Sequence, residues 1–276
     1  MKEQGPAVNP MQQMQMNIKD NLQKVDNMIS VMSGKGGVGK TTVAVNLSMA
    51  LIDKGKKVGL LDADLHGPNV AKMLGLEGSG AMMQEEKIVP IEGKRGLKVF
   101  SLSFLMEDQN APVIWRGPLK INAISEFLGK VNWGELDYLI IDLPPGTGDE
   151  ALNIAQMLPG SGAIIVSTPQ EVALLDSRRS ISFARSLKMD IIGIVENMSG
   201  MLCPHCGEAI DLFDKGGGEK AADELSIPFL GSVPIDPTIV KGGDSGDPIV
   251  MDEKGSPTAD SFIRICNNII QGQDRG

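Results

Sequence analysis

The chain is poor in cysteine, histidine and aromatic residues, with three Cys, two His, seven Phe, two Trp and one Tyr among 276 residues. Three thiols cannot make a disulfide framework, so the fold must rest on a hydrophobic core. The 42% hydrophobic content is enough for one large α/β domain. No run of about 18 or more apolar residues occurs, and the leading MKEQGPAVNPMQQMQMN lacks the apolar stretch of a secretory signal. A cytoplasmic protein is therefore expected. Basic charge is also in deficit: a net charge of -9 and a pI of about 4.8 leave no broad basic face for a phosphate backbone or an anionic bilayer. Neither nucleic acid nor membrane is expected as a partner.

What the chain does have begins at Val31–Thr42, VMSGKGGVGKTT. Gly34, Gly39, Lys40 and Thr41 fit the spacing G-x-x-x-x-G-K-[ST], in which glycine-rich backbone wraps a phosphate chain with its amides pointing inward. The apolar run before it reads as a strand, and Val43, Leu47, Ala50 and Leu51 after it have helical spacing. The amides from Gly34 through Gly36, Gly37, Val38, Gly39, Lys40, Thr41 and Thr42 are thus candidates for nucleotide binding, at a helix start whose dipole favours an anion. Lys40 is placed for the outer phosphates and the Thr41 hydroxyl for Mg²⁺. Lys35 adds a second cation inside the loop that turn geometry does not need. In this it resembles the deviant P-loop of the MinD, ParA and nitrogenase iron-protein group, where a signature lysine reaches across a dimer to the partner's nucleotide.

Residues 1–17, rich in Gln, Met, Asn and Pro, read as a mobile tail. Ile18, Leu22 and Val25 are spaced for one or two docking helical turns, and 18–276 reads as a single domain. The run VGLLD ends in Asp62 and leads to Asp64, which is placed to orient an attacking water or to reach Mg²⁺ through water; a turn or helix-cap role is the alternative. His66 reads more readily as a surface loop residue than as a catalyst, and Arg116, in WRGP, as a solvated charge or a support for a switch loop. Tyr138–Asp142 is an apolar run closing on a carboxylate, the Walker B pattern that places Asp142 on Mg²⁺. In the following LPPGTGD, Pro145 stiffens the entry, Gly146 allows backbone to approach a γ-phosphate, and Asp149 is read first as a helix N-cap. Further strands at Ala163, Ile191 and Phe229 complete a repeating β-α order. The expected fold is α/β, a doubly wound, mostly parallel sheet with helices on both faces. Asn197, at the end of the Ile191 strand, is a candidate reader of a purine edge, with turn chemistry as its alternative. Gly242–Asp247 reads as a loop and Ser256–Gln271 as a closing helix.

Cys203 and Cys206, in the CxxC loop near 198–216, have the separation that lets two thiolates hold one metal ion or one cluster edge. Cys266 sits in a helical apolar segment as a buried, inert thiol. Two ligands do not complete a site, so a second copy of the chain is needed to supply four thiolates, around zinc or a [4Fe-4S] cluster. Dithiol redox chemistry is the rival reading, weakened because no amphipathic helix follows the pair.

Taken together, GKGGVGKT, DADLHGPN, WRGP, DYLIIDLPPGTGD, STPQEVALLD, VENMS, CPHCG and GGGEKAA resemble the Mrp/ApbC family of iron-sulfur cluster carrier ATPases over about residues 27–271. The resemblance implies a P-loop NTPase fold and a homodimer that binds ATP with Mg²⁺ at each P-loop. It also implies a labile [4Fe-4S] cluster bridged between paired CxxC motifs and passed to apo iron-sulfur proteins, with cluster assembly proteins as further partners. It makes Lys35 the signature lysine, Asp64 the switch I aspartate and Asp142 the Walker B residue, and puts Asn197, Pro234 and Asp236 on the adenine. The four-cysteine region and the extra domain that precede the ATPase in some members have no counterpart in this sequence. Two other classes fit parts of the pattern: a ParA/MinD-type positioning ATPase, disfavoured by the acidic charge, and a zinc-stapled dimeric ATPase switch.

Overall fold

The computed structural model describes residues 10–64, 67–105, 124–125, 127–158, 160–202, 206, 208–210, 215–252 and 255–273. His66, Arg116, Cys203 and His205 lie outside these.

Long apolar strands dictate the centre. β1 (Val25–Met32), β2 (Val58–Asp62), β7 (Leu136–Asp142) and β8 (Gly162–Ser167) are buried along most of their length, as strands covered on both faces must be. With β5 (Ile91–Glu92), β6 (Lys98–Ser101), β9 (Ile191–Leu202), β10 (Ala209–Ile210) and β11 (Phe229–Ile235) they form a nine-stranded sheet of order β10-β9-β8-β1-β7-β2-β6-β5, with β11 also on β9. All pairings are parallel except β5 on β6 and β10 on β9, so the doubly wound, mostly parallel sheet expected from sequence is the fold found. A separate hairpin of β3 (Met82–Gln84) and β4 (Lys87–Val89) fills the excursion before β6.

Alternate strand residues point to opposite faces and build two cores. Ile29, Val31, Tyr138 and Ile140 pack with α2 (Lys40–Asp53) and the closing helix, while Met32, Leu139, Ile141 and Leu143 pack on the other side. Helix α2 is buried from Val43 to Leu51 almost all round, which is why it shows little amphipathic pattern. The chain continues through α3 (Val70–Met73), a helical stretch described at 124–125 and 127–130, α4 (Asp149–Met157), α5 (Glu171–Ser186), α6 (Gly217–Leu225), α7 (Pro237–Ser245), α8 (Ile249–Asp252) and α9 (Pro257–Gln273). No helix among the described residues is long and apolar enough to cross a membrane.

Three expectations shift. Helix α1 (Pro10–Leu22) starts well before Ile18, so the segment read as tail is helical from residue 10; Pro10 sits at its first position, where a missing N–H costs nothing. Val25 belongs to β1 rather than to that helix. Helix α7 runs through Gly242 and Gly243, which read as loop. Asp236 caps it and Pro237 opens it, and Gly242 sits where any Cβ would strike the Asp247 carbonyl, while Gly243 is in ordinary contact with Met73.

Candidate functional site

The strand order fixes the site. Because β1 lies between β7 and β8, the loop after β1 opens beside the carboxyl end of β7, where ligands gather in open α/β sheets. Ser33 and Lys35 through Thr42 line a cavity of about 410 Å³ with Asp64, Asn69, Lys72, Met73, Pro145, Ile239, Val240, Gly243 and Asp244. That volume is of the size that holds a nucleotide-scale ligand.

Lys40 opens α2, and its ammonium lies 2.5 Å from Asp142 Oδ1 in a pair that is 6% and 0% exposed. The Thr41 hydroxyl donates to Asp142 Oδ2 at 2.7 Å. One carboxylate thus gathers the P-loop cation and the P-loop hydroxyl on its two oxygens. Asp62 stands in register with Asp142 on the neighbouring strand, and accepts from Ser101 Oγ at 3.1 Å and from the Asp64 amide at 3.2 Å. Burial, and then the charge of Asp142, push the Asp62 carboxyl up to about 8. Burial also raises Asp142, against the opposing pull of the Lys40 ammonium. A pair of buried carboxyls facing one lysine is short of positive charge, which is the environment a divalent cation beside Thr41 satisfies. Asp64 sits on the cavity wall and receives the Gly67 amide at 3.3 Å.

The switch segment after β7 leans on the P-loop: the Gly146 amide donates to the Ser33 carbonyl at 2.8 Å, with Gly146 at φ +87°, and Pro145 reaches the cavity. Asp149 is the first residue of α4, one position inside the helix; Gly148 occupies the cap, and the exposed Asp149 carboxylate still sits at the positive end of the helix dipole. Lys35 is half-buried on the cavity lining.

The residues expected on a purine are more committed than sequence suggested. The Asn197 amide nitrogen donates to the Val38 carbonyl at 2.8 Å, from behind the P-loop, and a side chain at Gly39 would collide with that same amide. The Asp236 carboxylate caps α7, accepting from the Thr238 amide at 2.9 Å and hydroxyl at 2.6 Å and from the Thr258 hydroxyl at 2.7 Å. Pro234 is half-buried on β11. The cavity wall on that side comes from Ile239 and Val240, one turn into α7. Sequence reading missed them because Gly242–Asp247 masked the helix, although Asp236-Pro237 carries a cap-and-first-position signal.

The cysteine pair lies between two elements that pair with each other. β9 ends at Leu202, β10 begins at Ala209, and Leu202 pairs antiparallel with Ala209. Cys206 is an exposed free thiol; Cys203 lies outside the described residues, among which no cluster of three or more His, Cys, Asp or Glu forms a metal site. Cys266 is fully buried in α9, and burial pushes its thiol up to about 11, in keeping with an inert core residue.

Residues 24–270 match the family profile described as ParA, NUBPL iron-transfer P-loop NTPase. The chain is 52% identical over 256 residues to an iron-sulfur cluster carrier protein of Methanocaldococcus jannaschii, covering 92% of this chain and 87% of that one. Among solved structures, a nucleotide-binding protein of Archaeoglobus fulgidus in complex with ADP matches with a TM-score of 0.78 and 42% identity, covering 90% of this chain and 96% of that one. The cell division ATPase MinD of Pyrococcus furiosus matches with a TM-score of 0.65 and 26% identity, covering 89% and 99%.

Proposed function

This chain belongs to the Mrp/ApbC-like iron-sulfur cluster carrier ATPases of the P-loop ParA/MinD group, and from that membership we propose that it works as a homodimer bridging a [4Fe-4S] cluster between two Cys203/Cys206 pairs. Membership makes it an ATP-binding hydrolase that carries iron-sulfur clusters. The finer reading adds a cytoplasmic location, delivery to apo iron-sulfur proteins with cluster assembly proteins as partners, and the assignment of each residue.

In that reading the P-loop amides and Lys40 hold the phosphates, and Thr41, Asp142 and, through water, Asp64 hold Mg²⁺. The ion supplies charge neutralisation at the phosphates. Asp64 orients the attacking water, and the Gly146 amide is positioned to exchange its bond to Ser33 for one to a γ-phosphate oxygen. Lys35 of each protomer serves the nucleotide of the other. Asn197 keeps its carbonyl oxygen for an adenine amino group, with Pro234 and Asp236 flanking the base.

The observation that carries the reading is the path of β9. One strand holds the P-loop through Asn197 and runs directly into the segment bearing Cys203 and Cys206. The nucleotide site and the proposed cargo segment are thus joined along one strand, which supports a nucleotide-governed carrier. Anaerobic reconstitution followed by absorbance and by iron and zinc analysis tests it. About four iron per dimer is expected. Zinc at one per dimer with no iron uptake would instead make the pair a structural staple.

A further inference from the structure

At the amino ends of β2 and β7, away from the Asp62 and Asp142 ends that face the phosphate loop, lies a second cavity of about 430 Å³. Its charge is opposite to that of the molecule. Lys56, Lys57, Arg95 and Lys98 line it with a single carboxylate, Glu135, in a chain whose net charge is -9. The cations converge from three places: the turn leading into β2, the 3₁₀ turn Lys94–Gly96, and β6. The frame beneath them is fixed. The Lys57 amide donates to Asp137 Oδ2 at 2.6 Å, and the Lys57 carbonyl accepts from the Asp137 and Tyr138 amides. In the 3₁₀ turn the Gly93 amide donates to the Leu97 carbonyl at 2.7 Å, and Lys94 pairs with Asp247. Arg95 is held there at φ +54°, a left-handed conformation that glycine or asparagine would adopt more easily without bringing a charge.

We propose that this cavity binds a compact oxyanion of two or more negative charges, carrying phosphate or carboxylate groups, on Lys56, Arg95 and Lys98. Each of the three has donors to give. Lys56 is half-buried, and among the described residues no hydrogen bond or ion pair holds its ammonium. Lys98 spends one N–H on the Trp133 carbonyl at 2.5 Å and keeps two. Arg95 reaches Asp53 through Nη1 alone, at 3.1 Å, so its guanidinium retains N–H groups for the two oxygens of one anionic group. Glu135 is no obstacle: it stands 3.5 Å from Lys57 with both side chains mostly in water, a pair that solvent screens and an incoming anion displaces. The cavity has the size of a small-molecule site, while so local a cluster is too narrow to follow a nucleic-acid backbone or a bilayer. Val58 lies four residues, about 13 Å, along β2 from Asp62, so this site and the phosphate loop can be filled together.

The test uses the full chain with its phosphate loop saturated by ADP, titrated in a calorimeter with tripolyphosphate and, separately, with citrate. At least one of the two should bind at one equivalent per chain, and more weakly as salt is raised. Lys56→Gln removes an ammonium that holds nothing in place, and Arg95→Gly removes the guanidinium while relaxing the left-handed backbone, so both variants should fold. Each should weaken binding about tenfold, the effect of losing one hydrogen bond between charged groups, with ADP affinity unchanged. Preference for tripolyphosphate identifies phosphate as the group recognised, and preference for citrate identifies carboxylate. Binding of neither probe, or equal affinity in the parent and the double variant, overturns the proposal. A poly-glutamate peptide that binds more tightly than both probes overturns it too, by making the cluster a docking surface for acidic protein segments.

Discussion

Lys40 and Asp142 form an ion pair at 2.5 Å with almost no solvent contact, at the point where the P-loop helix begins and the β7 strand ends. The pair ties two elements far apart in sequence, and any phosphate entering the loop must draw the lysine partly away from its carboxylate. Removing one member leaves the other charged and alone in a dry site. Lys40→Met should therefore cost about 3–5 kcal/mol of stability in denaturant unfolding without nucleotide, besides abolishing ADP binding. The double variant Lys40→Met/Asp142→Asn should recover most of that stability. Equal losses in the single and double variants would show that the pair is not what the site depends on.

Lys35 lines the cavity, and among the described residues no hydrogen bond or ion pair fixes its side chain, although its carbonyl accepts from the Ser33 hydroxyl at 2.9 Å. If it acts on the nucleotide of a second protomer, Lys35→Ala should leave ADP affinity intact by calorimetry while lowering phosphate release by at least about 100-fold, the usual cost of a lost transition-state donor. A matching fall in ADP affinity would place its role within its own subunit.

The thiols should separate by chemistry. At pH 8 iodoacetamide should alkylate Cys206 rapidly in the native chain and leave Cys266, which is buried and raised to about 11, unmodified until the protein unfolds. Mass spectrometry of the digested protein reads the difference. In reconstitution, Cys203→Ala and Cys206→Ala should each abolish cluster retention with nucleotide binding preserved, and Cys266→Ala should retain the cluster.

Asp236 joins α7 to α9 through Thr238 and Thr258. Burial alone would raise its carboxyl, but those hydrogen bonds outweigh burial and hold it below the usual 3.8. A carboxyl more acidic in the folded than in the unfolded chain stabilises the fold above the unfolded value, and that contribution is lost as pH falls through the folded one. Asp236→Ala should thus lower stability by about 1 kcal/mol at neutral pH, as a lost helix cap does. The deficit should shrink in thermal unfolding at pH 3. A deficit that does not change with pH would leave only the neutral hydrogen bonds as its cause.

The sheet and the phosphate loop were legible because each depends on local pattern. Runs such as Tyr138–Asp142 read as buried strands, and Gly34–Thr41 carries its own spacing. What escaped sequence reading depends on pairings at long range. Nothing beside Asp62 announces that it will stand in register with Asp142, and nothing near Val38 announces the amide of Asn197, which lies 159 residues away. Asp236 is put on the adenine by the family resemblance alone, and the Asp236-Pro237 pair also marks the cap of α7. The glycines at 242 and 243 outweighed that signal. The missing side chain of Gly242 admits the close approach of the Asp247 backbone, whose amide donates to the Gly242 carbonyl at 2.8 Å. The cysteine spacing pointed to metal but could not reveal that the motif lies between two antiparallel strands.

Cys206 is exposed between β9 and the terminal strand β10, two strands that pair through Leu202 and Ala209. In the carrier proposed above, cargo bound at Cys206 would be taken up and surrendered by the folded protein without opening its interior, so hand-off and unfolding would be separate events with separate barriers. The same exposure would offer a bound cluster little shelter from dioxygen or chelators. A carrier of that kind would trade durability of its cargo for speed of exchange, and its lifetime in the loaded state would be set by how quickly a recipient arrives.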